Sequence, residues 1–247
     1  MKNLIKLSVI VFLFSITLAN AQDGNWGIGE KIKGNGNQKK DKRNTAEYDE
    51  IKLLGFFDID LVSGKEGEIN VQAEENLLPY IKTEVEGTTL KIYQEKEKNL
   101  QPSKSMKILI TVPFEKISAI YLSGSGDINT KNQIKTDKFA ATLSGSGDVN
   151  LDVDIVDLEA KLSGSGDVRL KGKSDKLMAR ISGSGSITAE DLASKDVDAG
   201  ISGSGDIRVN CSENFTARIS GSGDIIYKGE PKSKDTKVSG SGNIRKK

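Results

Sequence analysis

A hexapeptide returns seven times in this chain: Leu122 to Asp127, Leu143 to Asp148, Leu162 to Asp167, Ile181 to Ser186, Ile201 to Asp206, Ile219 to Asp224 and Val238 to Asn243. Each copy reads aliphatic-Ser-Gly-Ser-Gly followed by Asp, Ser or Asn. The first Ser of successive copies advances by 21, 19, 19, 20, 18 and 19 residues. A period near 19 without helical heptads means stacked supersecondary units. The unit is too short for a propeller blade or a helix pair, and it suits one coil of a β-solenoid.

The residues before each hexapeptide strengthen this reading. Phe139-Ala141-Leu143, Leu158-Ala160-Leu162, Leu177-Ala179-Ile181, Val197-Ala199-Ile201 and Phe215-Ala217-Ile219 repeat at period two. Polar residues such as Thr142, Lys161, Arg180 and Arg218 fill the intervening places. That is a strand with one buried face. Carried through the motif, the parity sends Leu162, Gly164, Gly166 and Val168 inward and Ser163, Ser165 and Asp167 outward. Glycines at successive inward places mark a corner, or a close approach to another wall, where no side chain fits.

Stacking would then align three outward columns, with rungs ~4.8 Å apart. The candidate binding residues are Ser144, Ser163, Ser182 and Ser202 in the first column and Ser146, Ser165, Ser184 and Ser204 in the second. Asp148, Asp167 and Asp206 belong to the third. Carboxylates at that spacing repel by roughly 1 kcal/mol in water. Capping of backbone N–H groups, interleaved Lys and Arg, or a bound cation would each relieve the strain. Ser186 and Asn243 in the third column favour capping, because both can cap a turn and neither is a good Ca²⁺ ligand. The Gly-Gly-x-Gly-x-Asp repeats of calcium-binding β-rolls have a nine-residue period, and this chain has only one Gly-rich motif per coil. Ice-binding solenoids use Thr where this chain has Ser. No metal and no cofactor is expected.

Before the repeats, Tyr48 to Phe114 carries strand signals such as Phe57-Asp58-Ile59-Asp60-Leu61 and Lys107 to Val112. These predict irregular first coils over 48–116 and regular coils over 117–247. Glu74 to Tyr80 could hold a short helix or turn. Gln22 to Glu47 reads as a flexible leader. At the start, Lys2 and Lys6, an apolar run from Leu7 to Leu18, and Ala19-Asn20-Ala21 form a signal peptide over 1–21, cut after Ala21. Export follows, to the periplasm or the cell surface. The lone Cys211 lies far from the cleavage point, which argues against a lipid anchor, and it reads as a small buried hydrophobe.

The sequence has no His, so the usual Ser-His and zinc-His arrangements are excluded. The serines have no neighbouring base. Removing Lys2 and Lys6 leaves 34 basic against 35 acidic residues, and such a balance provides no field for nucleic acid. The chain is read as non-enzymatic.

The exported start, the Phe57-Asp58-Ile59-Asp60 block and the Ser-Gly-Ser-Gly-[Asp/Ser/Asn]-[Ile/Val] repeats together resemble the bacterial family of auto-transporter adhesins with a head GIN domain. The resemblance runs from about Ile51 to Ile244. It implies an all-β, single-stranded β-helix, right-handed and similar to pectin-lyase folds, with an adhesion role at the cell envelope. It transfers no catalytic residues. No membrane-barrel signature follows Lys228, so the auto-transporter part of the description is not expected to apply. Envelope glycans or surface proteins are the expected partners. A glycan-active enzyme on a β-helix scaffold and a periplasmic scaffold protein remain as alternatives.

Overall fold

A computed structural model describes residues 29–247, so the expected signal peptide and the first part of the expected leader lie outside the described residues. The chain begins with β1 (Glu30–Lys33) and β2 (Gln38–Asn44), followed by β3 (Glu50–Gly55) and β4 (Asp58–Ser63). Next come β5 (Glu68–Glu74), a 3-10 turn at Leu78–Tyr80, β6 (Ile81–Glu86), β7 (Thr89–Gln94), β8 (Lys98–Gln101) and β9 (Leu109–Phe114). The regular part comprises β10 (Ala119–Gly124), β11 (Asp127–Thr130), β12 (Ile134–Gly145), β13 (Asp148–Gly164), β14 (Asp167–Gly183), β15 (Ser186–Gly203) and β16 (Asp206–Gly221). It ends with β17 (Ile225–Lys228), β18 (Ser233–Gly240) and β19 (Ile244–Lys246). Strand makes up 72% of the structure, wound into a solenoid of about seven turns at a spacing of ~19 residues.

From β10 onward every pairing is parallel and in the register the repeat predicts. Phe139 lies on Leu158, Leu158 on Leu177, Leu177 on Val197 and Val197 on Phe215. The Ala column and the Leu/Ile column beside it are equally continuous and buried. Apolar burial contributes about 25 cal/mol per Å² removed from water, and here each coil buries its apolar face against the ones above and below. The 21-residue step is absorbed by the turn at Lys131 to Gln133, between β11 and β12. The 20-residue step is absorbed where β14 and β15 slip register between Arg169 and Lys171, opposite Thr188 and Asp191.

Each regular coil has two corners. The wide one, exemplified by Val156-Asp157, carries charges of alternating sign along the stack: Lys138, Asp157, Lys176 and Asp196 are in register. Asp175 and Lys195 pair at 2.7 Å, and Glu213 and Lys232 at 2.6 Å. Ile155, Ser174, Ser194 and Cys211 stack inside this corner and are buried. The Cys211 thiol lies against the Lys195 and Asn214 carbonyls, and burial pushes its pKa up.

The sharp corner is the Ser-Gly-Ser-Gly motif. The Gly145 carbonyl accepts N–H groups from both Ser165 (2.9 Å) and Gly166 (3.1 Å) of the next coil. The same tie recurs from Ser146 and Gly147 to Gly124, and from Ser184 and Gly185 to Gly164. Gly164 has φ +132°, a region open only to glycine, and a Cβ there would lie 2.2 Å from the Gly145 oxygen. A Cβ on Gly166 would lie 2.1 Å from the Gly147 oxygen and 2.9 Å from Leu143 Cδ2. Most of the obstruction therefore comes from the carbonyls of the coil below, along the stack, rather than from an opposing wall.

The N-terminal region differs from the sequence expectation in two ways. First, Leu53 to Asp58 is an eighth sharp corner. Leu53, Leu54 and Gly55 pair with Leu122, Ser123 and Gly124, and Gly55 accepts the Ser125 and Gly126 N–H groups. So 48–116 contains one regular coil, β3–β4, instead of irregular ones only. Second, the chain then leaves the stack. β7 and β9 run beneath β3 and β4, while β6 and β5 close antiparallel on β7 and β9. Only after this excursion does β10 resume on the other side of β3. The described part of the stretch read as a flexible leader forms strand: β1 pairs with β8, and β2 lies antiparallel on β5.

This cap is pinned by side chains. The buried Glu74 carboxylate accepts the Gly36 N–H (2.6 Å), the Ser103 N–H (2.8 Å) and the Ser103 hydroxyl (2.6 Å). Burial pushes its pKa up, but these donors outweigh that and hold it below the usual carboxylate value. Arg43 donates to the Ile81 and Leu78 carbonyls, and the buried Tyr48 hydroxyl donates to the Pro113 carbonyl.

Candidate binding face

The sharp corner sets three outward columns along one edge of the solenoid. Ser144, Ser163, Ser182 and Ser202 are in direct register and exposed. Ser146, Ser165, Ser184 and Ser204 occupy the bend itself, also exposed. Asp148 lies on Asp167, Asp167 on Ser186 and Ser186 on Asp206, all half-buried. The fold thus brings all the predicted site residues to one edge. Among the described residues, no other side chain engages the hydroxyls of the two predicted Ser columns, so they are available to solvent or to a ligand.

The Asp column resolves its own repulsion. Asp127 Oδ1 accepts the Asp148 N–H at 3.2 Å, Asp206 Oδ1 accepts the Asp224 N–H at 3.0 Å, and Asp224 Oδ1 accepts the Asn243 N–H at 2.9 Å. At Ser186 the hydroxyl donates to Asp167 Oδ1 at 2.7 Å. Asp127, Asp206 and Asp224 thus cap the next coil rather than their own turn, while the Asp167 and Ser186 N–H groups go to the Gly147 and Gly166 carbonyls. Arg169 adds a clamp, reaching Asp148 at 3.1 Å and Asp167 at 2.5 Å. Among the described residues no group of three or more His, Cys, Asp or Glu side chains converges as a metal site would require.

Sequence reasoning missed Leu54 and Asp58, which extend the first and third columns by one rung. The signal was present in the frame Leu53-x-Gly55-x-x-Asp58-Ile59, which keeps the Leu, Gly, Asp and Ile of the motif. It was masked by Phe56-Phe57 in place of Ser-Gly.

A parallel β-solenoid with a repeated polar corner and a separate N-terminal cap defines the structural class. The chain matches, over residues 47–231, the family described as "Putative auto-transporter adhesin, head GIN domain", and it belongs to that family. Among solved structures it is similar to a putative adhesin from Bacteroides fragilis, with 27% identity over 87% of this chain and 100% of that one, at TM-score 0.82. It is also similar to a putative lipid binding protein from Parabacteroides distasonis, with 28% identity over 88% and 100% and TM-score 0.75. A putative adhesin from Parabacteroides merdae shares the fold at 23% identity over 89% and 100%, TM-score 0.74. No protein of curated function matches this chain.

Proposed function

We propose that this chain is an exported, non-enzymatic binding module of the cell envelope that holds a repetitive ligand along its Ser/Ser/Asp edge. The observation that carries this reading is the exact-register stacking of exposed hydroxyls at Ser144, Ser163, Ser182 and Ser202 on a rigid parallel ladder. Solenoids present such extended faces to elongated partners. The edge has no aromatic anchor, so single contacts are weak and affinity comes from many at once. Envelope glycans or surface proteins fit that demand. The adhesin descriptions of the family and of two structural relatives agree with it.

The test is simultaneous replacement of Ser144, Ser163, Ser182 and Ser202 by Gln. The circular dichroism spectrum should stay unchanged while attachment to envelope glycans or cells is lost. Undiminished attachment would place binding elsewhere. Turnover of an envelope glycan by the purified protein would favour the enzyme alternative.

A further inference from the structure

One step before the Ser edge, on the same strands, runs a second outward column: Thr142, Lys161, Arg180, Gly200, Arg218 and Lys237. Its two arginines are held in the same pose. Arg180 Nη1 donates to the Ala179 carbonyl (3.2 Å) and to the Asp198 carbonyl (2.7 Å), and Nη2 donates to the Asp198 carboxylate. Arg218 repeats this on Ala217 (3.0 Å), the Asp235 carbonyl (2.8 Å) and the Asp235 carboxylate.

A guanidinium carries five N–H donors in a planar fork geometry. In each arginine these bonds use both hydrogens of Nη1 and one of Nη2. What remains is Nε–H and the second Nη2–H, which share one edge and form a complete bidentate fork. Among the described residues no acceptor meets either Nε. The two side chains are 37% and 43% exposed.

Gly200 lies between the two arginines. Its missing side chain lets Arg180 cross the strand, because a Cβ there would come within 2.9 Å of Arg180 Cδ. The result is a shallow notch of ≈ 310 Å³ whose lining is mostly apolar: Gly200, Ile181, Ile201 and Ile219 stand beside Arg180, Ser202, Arg218, Ser220 and Lys237. Asp198 and Asp235 pair with the two guanidinium groups, and Lys237 adds a third cation against these two carboxylates. Arg169, on the other arm, differs: it is shared between two carboxylates and offers no such excess of positive charge.

We propose that this notch binds the oxyanion groups of an acidic polysaccharide. Arg180 and Arg218 each take one carboxylate or sulfate bidentately, with Ser202 and Ser220 holding neighbouring hydroxyls. Oxyanions bound by two parallel N–H donors are among the stronger and more directional polar contacts. The two forks stand two coils apart, about 10 Å, and a linear polymer charged on alternate sugars can meet both. A membrane is the weaker fit. The large exposed apolar side chains among the described residues are the scattered Val156, Met178 and Val238, which offer little to insert. This inference rests on the envelope-binding reading and names its ligand class.

Purified protein should be titrated at low ionic strength with polygalacturonate, dextran sulfate, neutral dextran and phosphatidylglycerol vesicles. Binding to the two polyanions and not to neutral dextran is expected. The double variant Arg180→Lys/Arg218→Lys keeps the charge and removes the forks, so its affinity should fall about tenfold or more. Lys135→Gln/Lys173→Gln, at the wide corner, should change little. In the parent protein the Nε–H resonances of Arg180 and Arg218 should shift on adding polygalacturonate, a readout independent of any variant. Equal loss in both double variants, unmoved Nε–H resonances, or binding to vesicles alone would overturn the proposal. Equal binding of neutral dextran that is lost only in the four-serine variant would overturn it while leaving the envelope-binding reading intact. Absence of binding to every probe would count against both.

Discussion

The coils from β10 to β16 and the cap from β1 to β9 solve the same problem by opposite means. In the coils, parallel backbone ladders and continuous apolar columns carry the structure, and outward side chains add only solvated or half-buried pairs. In the cap, the first coil rests on β7 and β9, with no earlier copy of the corner beneath it. The chain turns antiparallel at β5 and β6, and individual side chains take over. Glu74 gathers Gly36 and Ser103, Arg43 ties β2 to the Leu78 turn, and Tyr48 reaches Pro113. A repeat needs only its neighbour, whereas an end needs specific residues.

The corner glycines show the same contrast. Gly55 and Gly164 share one backbone conformation, φ +133° and +132°. At Gly164 a Cβ would strike the carbonyl below, whereas at Gly55 the nearest atom is Phe57 Cε2, 4.0 Å away. At the next glycine position the first coil carries Phe57, fully buried against the core. A bulky residue is tolerated there because no earlier corner lies underneath.

The largest effect should come from Gly166→Val. With a carbonyl 2.1 Å from the Cβ position, the coil below must shift. We expect a loss of ~3 kcal/mol or more, from overpacking added to backbone strain. Unchanged thermal melting would show that the coils are not in van der Waals register at the corner.

Glu74→Gln should cost less, about 1–3 kcal/mol, the cost of leaving buried donors poorly matched. It should also act locally: hydrogen exchange should rise in β1, β2 and β5 while β13 to β15 stay protected. A uniform rise would mean that cap and coils unfold as one unit. The carboxyl is depressed in the folded protein, so its contribution is present above the ordinary carboxylate pKa and is lost as pH falls through the lower folded value. Acidification should therefore loosen the parent cap, and it should have less effect on the Gln variant.

The smallest effect should be that of calcium. Asp127, Asp206 and Asp224 already accept N–H groups of the following coil, Asp148 and Asp167 share Arg169, and Ser186 and Asn243 interrupt the column. Melts with chelator and with millimolar Ca²⁺ should coincide. A saturable upward shift would reveal a bound ion.

The coils were legible because every inward residue is stated several times over. Phe139, Leu158 and Leu177 announce the same face, and Gly145, Gly164 and Gly183 the same corner. The cap was not legible in this way. Its antiparallel pairings are each used once, and a strand such as Ile81–Glu86 carries no mark of which neighbour it will meet. The return of the chain across 69 residues, from Asp58 to Asp127, hid the eighth corner in a region that otherwise lacks the repeat. Glu74 looked like one acid among many, because its donors come from Gly36 and Ser103, far away in sequence. The Ser and Asp columns could be placed from period-two parity alone. The Arg180–Asp198 and Arg218–Asp235 pairs needed the stacking register, which converts a separation of 18 or 17 residues into contact.

At the repeated corner the coil beneath adds its own demand for glycine to that of the turn. Urea unfolding of Gly55→Ala and Gly164→Ala tests it directly. Both variants suffer the same backbone strain, about 1–3 kcal/mol, but only Gly164→Ala also meets a carbonyl. Gly164→Ala should lose the greater stability, by about 2 kcal/mol or more. Equal losses would contradict it and leave backbone conformation alone as the reason for the motif.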